Sequence, residues 1–228
     1  MTAGLSVVAY ELGTFQEDGG PRVVMGFVVR HRDGVIVVDT GFGFGHPELD
    51  LQYEIRARRV RDALAAVEVR PDEISGLVNC HLHADHSGQN REFPGIPTWV
   101  QPVEWAAAHT PDHTIVEWVD YEGADIRERA GDHELVPGVR IVATPGHTPG
   151  HQSVAVETDA GLVILAGQAC YTAGEWDGDP DALEGRSSAP DVLAYDRSIQ
   201  RLRDLRPVRV LFGHDRDPWV SYGSTQAT

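Results

Sequence analysis

The hexapeptide His81-Leu82-His83-Ala84-Asp85-His86 constrains this chain more than any other feature. It places three imidazoles and one carboxylate within six residues, directly after the apolar run Gly76–Cys80. Neutral imidazole and carboxylate groups are ligands for zinc, iron, manganese and cobalt, and a loop that follows a strand can direct alternate side chains toward two ions. The hexapeptide therefore predicts a metal centre at the end of a buried strand, and by itself it leaves the number of metals open. A polar surface turn is the alternative interpretation, because short motifs do produce false positives.

Two further segments place a histidine after a predicted strand. Thr144–His151 reads TPGHTPGH, a turn stiffened by proline and glycine. In the segment Leu211–Asp215, His214 follows an apolar run and stands beside a glycine, which permits close approach of the backbone. Since several strand ends carry histidine, we expect their imidazoles to meet at one metal centre.

Hydrophobic periodicity indicates a mixed α/β chain. Alternating apolar residues predict strands at Val23–Arg30 and Val35–Val38, and the Asp33-Gly34 turn between them is typical of a hairpin. Apolar residues at helical spacing between Ile55 and Val69 predict a helix that is closed by Pro71. Later strands are predicted at Gly76–Cys80, Ile96–Val100, Val139–Ala143, Gln152–Glu157, Leu162–Ala166 and Val208–Phe212, and later helices at Val103–Ala108 and Val192–Leu205.

This order of elements predicts sheet layers covered by helices. No repeat or low-complexity linker divides the chain, so we expect a single domain over residues 1–228. The segment Pro111–Glu134 is ambiguous. The segment Thr172–Pro190, rich in glycine, aspartate and proline, is predicted to be a loop, either a surface connection or a lid over the site.

The charge balance excludes two classes of partner. The chain has 35 acidic and 19 basic side chains, all of the latter arginine, for a net charge of −16. Nucleic acids and anionic membranes require clustered positive charge, so a small or neutral substrate is expected. Met1–Ser6 has neither a basic nor an apolar signal, and no segment approaches the ~18 apolar residues of a membrane span, which predicts a cytoplasmic protein. Cys80 and Cys170 are expected to be reduced thiols without a catalytic role.

Together these motifs resemble the metallo-β-lactamase superfamily and, within it, the N-acyl-homoserine lactonases that degrade quorum-sensing signals. The resemblance to the superfamily rests on Val38–Gly41, His81–His86, His147 and Gly213-His214. The resemblance to the lactonases rests on Trp99–Gln101, Gly131–Val139, Thr144–Ser153 and Tyr171. The resemblance implies an α/β fold of the αββα sandwich type, with two metals at one edge.

The resemblance also implies a set of ligands. His81, His83 and His147 would hold the first metal, whereas Asp85, His86 and His214 would hold the second. An aspartate that bridges both metals completes the set in the family, and this sequence has Gln168 at that position. The implied cofactors are two divalent ions, zinc in the first place, with iron, manganese and cobalt as alternatives.

Gln168 changes the charge of the implied site. A neutral amide oxygen is a poorer bridge than a carboxylate, and it leaves the centre one charge unit more positive. A weakened second metal, an altered chemistry at a more electrophilic centre and an inactive relative are three possible results, and an engineered substitution is a further explanation. We favour a site that still binds metal, because the other ligand positions are filled.

The implied reaction is opening of a lactone ester, with N-acyl-homoserine lactone as the substrate, by a metal-bound hydroxide. Tyr171 would donate a hydrogen bond to the oxyanion, and Asp85 would either transfer a proton or act only as a ligand. A thioesterase of the glyoxalase II type, or another ester hydrolase of this fold, would use nearly the same ligands. A metal-binding relative with weak or no activity is the contrasting hypothesis, and the oligomeric state leaves no trace in the sequence.

Other residues near these motifs have simpler interpretations. Asp39 is interpreted as a carboxylate that orients a ligand histidine, and His151 as a structural hydrogen-bonding residue. Phe42 and Phe44 either line an acyl-chain pocket or pack in the core. The five remaining histidines lack ligand spacing and are interpreted as surface or ordinary polar residues: His31, His46, His109, His113 and His133.

Overall fold

The computed structural model describes residues 4–17 and 20–221, in which two β-sheets pack face to face between layers of helix. The first sheet is formed by β1 (Ser6–Glu17), β2 (Gly20–His31), β3 (Gly34–Val38), β4 (Arg56–Ala57), β5 (Ile74–Val78), β6 (Pro97–Val100) and β7 (Asp125–Glu128). The second is formed by β8 (His133–Val136), β9 (Val139–Ala143), β10 (Gln152–Thr158), β11 (Gly161–Leu165), β12 (Arg209–Leu211) and β13 (Trp219–Val220). The order across the first sheet is β4-β1-β2-β3-β5-β6-β7, and across the second it is β13-β12-β11-β10-β9-β8.

Eight α-helices connect or cover these strands in the described part of the chain. They are α1 (Pro47–Tyr53), α2 (Val60–Ala66), α3 (Ala84–Ser87), α4 (Pro102–Ala108), α5 (Val116–Val119), α6 (Ala173–Asp177), α7 (Glu184–Ser188) and α8 (Val192–Asp204). None of the helices in the described ranges is long and apolar enough to cross a membrane.

Strand direction determines where the loops of the site come together. β1, β2 and β3 pair antiparallel, whereas β3, β5, β6 and β7 run parallel. In the second sheet β11 and β12 are also parallel. Because parallel strands end at the same edge of a sheet, the residues that follow β3 and β5, and those that follow β11 and β12, lie close together.

Alternating apolar residues build the layers. In β2, Met25 and Phe27 pack with residues of the second sheet, such as Ile141, in the core between the sheets. Val24 and Val28, which flank this pair along the strand, pack on the other face with α2. The outer face of the second sheet is covered by α8 through Tyr195, Ile199 and Leu202. Because successive side chains of a strand point to opposite faces, each inner strand is apolar on both sides, and the αββα sandwich predicted above is confirmed.

Most predicted elements are present, with three differences. The helix predicted over Ile55–Val69 is limited to α2, because residues 56–57 pair with β1 as β4. The ambiguous segment Pro111–Glu134 folds into α5, β7 and the start of β8. The prediction of a loop over Thr172–Pro190 is wrong, because this segment contains α6 and α7 and buries Glu175 and Trp176. Glycine, aspartate and proline residues flank these two short helices, so the composition of the segment predicts a loop although helices are present.

Candidate metal centre

Residues that follow five strands meet at one end of the sandwich. Asp39 follows β3, His81 follows β5, His147 follows β9, Gln168 follows β11 and His214 follows β12. Backbone hydrogen bonds join these loops: the N–H of Gln152 donates to Cys80 O at 2.7 Å, and that of Gly213 donates to Gly167 O at 3.1 Å. The cluster is therefore held by the two sheets and not by one flexible loop.

Three imidazoles converge on one point. His147 Nε2 lies 3.2 Å from His81 Nε2 and 3.1 Å from His83 Nδ1. Nitrogens about 2.0–2.1 Å from a tetrahedral zinc ion are separated by about 3.3 Å, which is close to these distances. Burial lowers the pKa of His83 to about 4 and holds those of His81 and His147 well below 6.5. The three rings are therefore neutral near pH 7, the protonation state that a metal ligand needs.

A second group lies next to the first. Asp85 Oδ2 is 3.0 Å from His86 Nε2 and 3.5 Å from His214 Nε2. The opposite ring nitrogens are already occupied, since His86 Nδ1 lies 2.9 Å from Asp39 Oδ2 and His214 Nδ1 lies 2.7 Å from the carbonyl of Val23. Both Nε2 atoms are thus directed toward Asp85.

Two buried ring nitrogens of this second group lack a hydrogen-bond partner, His86 Nε2 and His214 Nε2, and so does Gln168 Oε1, whose residue lines the same cavity as Asp85. The contact between His86 and Asp85 is close but does not have the geometry of a hydrogen bond. A buried polar atom without a partner costs about 1–3 kcal/mol, so these atoms require an explanation. A cation bound beside Asp85 would satisfy both imidazole nitrogens, and these residues fit a divalent ion in their donor chemistry.

Electrostatics point the same way. Burial alone lowers the pKa of His86, but Asp85 and Asp39 on either side outweigh it and raise that pKa well above 6.5. Burial likewise raises the pKa of Asp85, and the imidazoles of His86 and His214 outweigh it and lower that pKa. Both shifts show that this position attracts positive charge, which either a proton or a metal ion can supply.

Asp39 orients His86, as predicted. Its Oδ2 contacts His86 Nδ1, and its Oδ1 accepts the N–H of Cys80 at 2.8 Å. The backbone at Asp39 is left-handed, with φ of 64°, and the hydroxyl of Tyr10 donates to its carbonyl at 3.0 Å. A non-glycine residue in this region carries backbone strain of about 1 kcal/mol or more, which the surrounding hydrogen bonds hold in place.

The family follows from comparison with known proteins. The sequence profile of the metallo-beta-lactamase superfamily matches residues 19–214. The N-acyl homoserine lactonase of Bacillus cereus is 32% identical over 206 residues, covering 83% of this chain and 80% of that protein. The chain belongs to the metallo-beta-lactamase superfamily.

Solved structures of lactonases share the fold of this metallo-beta-lactamase domain. An AiiA variant from B. thuringiensis with N-decanoyl-L-homoserine at its active site has a TM-score of 0.80 and 28% identity, over 95% of each chain. An N-acyl homoserine lactone hydrolase with the product N-hexanoyl-L-homoserine at its catalytic metal centre matches equally, with a TM-score of 0.80, 28% identity and 95% of each chain covered. The protein is thus a metallohydrolase, similar to N-acyl homoserine lactonases, and binds divalent metal.

His151 connects two loops of the site by hydrogen bonds. Its Nε2 accepts the N–H of Gln168 at 2.9 Å, and its Nδ1 lies 2.9 Å from Thr144 Oγ1. Burial lowers its pKa to about 3, which keeps the ring neutral and Nε2 available as the acceptor. The predicted structural role is confirmed, because both ring nitrogens are occupied by hydrogen bonds.

Cys80 also contacts His81 and His86. Its Sγ lies 3.1 Å from His81 Nδ1 and 3.3 Å from His86 Nδ1. Burial raises the pKa of this thiol, so it remains protonated. Cys170 is buried too, and both cysteines are free thiols, as predicted.

A cavity of about 620 Å³ opens over the cluster. Tyr171 lines it, with its hydroxyl 3.3 Å from His147 Nδ1 and accepting a hydrogen bond from Ser188 Oγ at 3.3 Å. Burial raises the pKa of Tyr171 above its usual range, so the phenol is protonated. Phe42 lines the cavity as well as the core, whereas Phe44 is partly exposed and packs under the guanidinium of Arg59.

Two histidines that we interpreted as surface or ordinary polar residues line this cavity. His113 contacts the ring of His83 at a centroid distance of 4.8 Å, and His46 caps α1 by accepting the N–H of Leu49 at 3.3 Å. Both are polar residues of the cavity wall, a placement that sequence spacing cannot show. The other three do not line the cavity: His31, His109 and His133.

Sequence reasoning missed two buried glutamates. Glu104 on α4 holds the loops of His81 and His147 in place, through bonds described below. Glu175 on α6 accepts the backbone N–H of Tyr171 and of Arg186, each at 2.8 Å, and the hydroxyl of Tyr195 at 2.9 Å. Charged residues in the first turn of a helix are common on surfaces, so neither gave a signal of its own. The only available hint was that Glu175 lies four residues after Tyr171, which the resemblance to the family had already singled out.

Proposed function

We propose that this metallohydrolase opens the ester ring of N-acyl homoserine lactones with two divalent metal ions. The observation that carries the proposal is the convergence of two histidine clusters beneath a cavity in which Tyr171 presents a protonated phenol. The similarity to curated N-acyl homoserine lactonases supports this substrate class.

The ligand assignment follows the two groups. His81, His83 and His147 hold the first metal through Nε2, Nδ1 and Nε2. Asp85, His86 and His214 hold the second, and Gln168 Oε1, the remaining buried acceptor, binds there in place of a bridging carboxylate. Zinc is the ion we favour for this donor set. Bound there, divalent ions polarise an ester carbonyl and make a water molecule more acidic.

Tyr171 stabilises the oxyanion that develops when the ester is attacked. A neutral His147 that binds metal through Nε2 carries its proton on Nδ1, so this N–H donates to the Tyr171 oxygen. Ser188 Oγ donates to the same oxygen. With its lone pairs engaged, the phenol directs its own O–H toward the carbonyl oxygen, where such a donor contributes a few kcal/mol to transition-state stabilisation.

Asp85 provides the proton transfer. Its carboxylate lies between the two histidines of the second group, and it lines the cavity at the point where ring opening produces an alkoxide. A carboxylate there takes a proton from the attacking water and returns it to the leaving oxygen.

The cavity accommodates an acyl chain. Apolar and aromatic side chains form one part of its lining: Phe15, Phe42, Leu49, Tyr53 and Ile115. Burial of methylene groups against such a wall contributes about 0.8 kcal/mol each, so affinity should rise with chain length until the wall ends.

The test compares ring opening of N-hexanoyl- and N-decanoyl-homoserine lactone with hydrolysis of a thioester, on protein whose metal content is measured by atomic emission. We expect the native protein to open both lactones. We expect the substitution Tyr171→Phe to lower kcat about a hundredfold at unchanged metal content. Tyr121→Phe is the matched control, because its hydroxyl bonds the backbone of Asn90 and not the site. Full metal occupancy without lactone opening would overturn the proposal, and thioester turnover would then favour the glyoxalase II type of reaction.

The consequence of Gln168 is tested by metal titration. Gln168→Asp restores a negative bridging group, so the second metal should bind at least about tenfold more tightly, while the first is little changed. Chelator competition on both proteins measures the two affinities. Equal second-site affinities in the two proteins would show that Gln168 does not contact the metal.

A further inference from the structure

The proposed lactonase reaction gives no role to His113, which lines the cavity, or to the buried Glu104 with which it pairs. Glu104 is 1% exposed, and each of its oxygens accepts two hydrogen bonds. Oε1 accepts the N–H of Leu82 and Nε2–H of His113, both at 2.9 Å. Oε2 accepts Thr148 Oγ1–H at 2.7 Å and the N–H of Gly150 at 3.1 Å. The carboxylate thus joins the wall of the cavity to both loops that carry the first-metal ligands.

This arrangement fixes which nitrogen of His113 carries the proton. Although burial opposes ionisation, hydrogen bonds from His113, Leu82 and Thr148 hold the pKa of Glu104 below its usual value, so it is a carboxylate and only accepts. Nε2 of His113 must therefore be the donor. In the neutral ring the lone pair is then on Nδ1.

Nδ1 of His113 is free to meet a ligand. It has no hydrogen-bond partner among residues 4–17 and 20–221, and the ring lines the cavity beside His83. Two carboxylates also line the cavity, but both belong to exposed residues, Asp112 and Glu17, and Glu17 pairs with Arg22 at 3.3 Å. The bond from Nε2 to the buried Glu104 holds the His113 ring in place, so the position of its Nδ1 is fixed before a substrate binds.

The chemistry of the substrate supplies the matching group. An N-acyl homoserine lactone has a single hydrogen-bond donor, its amide N–H, on the carbon next to the lactone carbonyl, and its other polar atoms are acceptors. When that carbonyl faces the metal cluster, the N–H is two bonds away from the reacting carbon and lies beside the ligand histidines. Once the cavity excludes water, the N–H needs an acceptor.

We propose that Nδ1 of His113 accepts the amide N–H of the substrate, and so selects N-acyl lactones over plain alkyl lactones. This inference rests on the proposed lactonase function. A site that hydrogen-bonds a polar group of its substrate discriminates against analogues without that group, because its own polar atom is then left unpaired. The proposal therefore concerns specificity and not the reaction itself.

The experiment measures kcat/KM on three lactones: N-octanoyl-homoserine lactone, its N-methylated amide, and a γ-alkyl butyrolactone of matched chain length. The variant is His113→Gln, because the glutamine amide can still donate to Glu104 at the position of Nε2 but offers no acceptor at the position of Nδ1. We expect kcat/KM for the N-acyl lactone to fall about 5- to 20-fold and that for the alkyl lactone to change less than about twofold. N-methylation should impair the native protein and have little further effect on the variant.

His109→Gln is the matched control, since His109 also pairs with a carboxylate through Nε2, 3.1 Å from Asp120, but is exposed and outside the cavity. It should leave all three values unchanged. Equal losses on the N-acyl and alkyl lactones, or equal effects of N-methylation on native protein and variant, would overturn the proposal. If the native protein opens none of the three, the proposed function itself has failed, which is a distinguishable result.

Discussion

At the scale of single residues, the proposed metal site depends on which nitrogen of each histidine is left free to bind an ion. Asp39 fixes His86, and the carbonyl of Val23 fixes His214, each by occupying Nδ1. Because an imidazole has only two nitrogens, the partner of the first determines the role of the second. The ligand set is thus as much a property of these partners as of the histidines themselves.

Asp39→Asn tests this dependence. An amide NH₂ opposite His86 Nδ1 moves the ring proton off Nδ1. In the opposite orientation the amide oxygen still accepts from Nδ1, but it is neutral and the NH₂ loses the bond from the N–H of Cys80, so the ring is held less firmly. We expect the affinity of the second metal to fall about 10- to 100-fold, with the first metal less affected. Chelator competition measures both constants. Asp33→Asn, at an exposed residue paired with Arg32, is the control, and an unchanged second constant would contradict the prediction.

Individual residues differed in how well they could be predicted from the sequence. The structure brings the predicted histidine and aspartate positions together, because their motifs are local and follow apolar strands. Glu104 and His113 could not be predicted, since their significance arises only when α4 and the loop after it pack on the hexapeptide. For Gln168, the sequence predicted its place in the motif, but only the structure shows that its Oε1 is buried and has no hydrogen-bond partner.

At the scale of elements, α6 and α7 determine the position of Tyr171. Glu175 on α6 accepts its backbone N–H, and Ser188 on α7 donates to its hydroxyl. Gly185 on α7 approaches the ring so closely that an added Cβ would lie 2.5 Å from Tyr171 Cδ1. The segment is therefore a wall that fixes the tyrosine.

Gly185→Ala should misplace that tyrosine. An added methyl group forces either α7 or the ring to move, and small displacements of a positioned group lower rates steeply. We expect kcat to fall at least about tenfold, with metal content unchanged. Gly174→Ala on α6 is the control, because its added Cβ would be nearest to Ala182 Cβ at 3.1 Å and far from the phenol. Native kcat in Gly185→Ala would show that α7 does not position Tyr171.

Glu104→Gln tests how α4 joins the two ligand loops. The amide NH₂ opposes two of the four donors, so the free energy of unfolding should fall by about 2–4 kcal/mol near pH 7. The carboxylate has a lower pKa in the folded protein than its ordinary 4.5, so it stabilises the fold above about pH 4.5. That contribution disappears as the pH falls through the folded-state pKa, and the difference between the two proteins should shrink in acid.

Urea denaturation of both metal-free proteins near pH 7 and near pH 4 measures this difference. Glu48→Gln, at an exposed position, is the control and should match the native protein at both pH values. A difference that does not change with pH would mean that the ionised form of Glu104 contributes nothing specific.

Elements with a strong period were predictable and those fixed by tertiary contacts were not. The strand Val139–Ala143 has the bounds that were predicted, because its apolar residues are local and regular. α7 has only a glycine buried, so it lacks an apolar face that could be recognised in the sequence. Its position depends on contacts with Tyr171, Tyr195 and Glu175, which lie outside it.

At the scale of the whole molecule, a net charge of −16 surrounds a site built to hold cations. At low ionic strength the excess carboxylates on the surface repel one another, and this repulsion lowers the stability of the folded state. Adding salt screens this repulsion over about 10 Å at 0.1 M.

We therefore expect the melting temperature of the metal-saturated protein to rise by about 2–4 °C between low salt and about 0.15 M NaCl. Differential scanning calorimetry measures it. Choline chloride at the same ionic strength is the control, because an equal rise shows screening and not binding of sodium. A melting temperature that falls with salt would mean that attractive ion pairs dominate the surface.

The layered architecture was predictable as a whole because apolar alternation and the resemblance to the family agreed. The pairing of β3 with β5 and of β11 with β12 could not be predicted, because local sequence patterns do not determine the order of strands in a sheet. That pairing is what brings five loops to one edge.

The division of the ligands between two sheets has a consequence for synthesis. His81 and His83 lie in the first half of the chain, but His147 follows β9, and His214 follows β12 near the end. Under the proposed ligand assignment, a nascent chain lacks the complete set for either metal until the second sheet has begun to form. Complete metal loading would then follow synthesis of the second sheet, and a chain released early would carry only part of each ligand set.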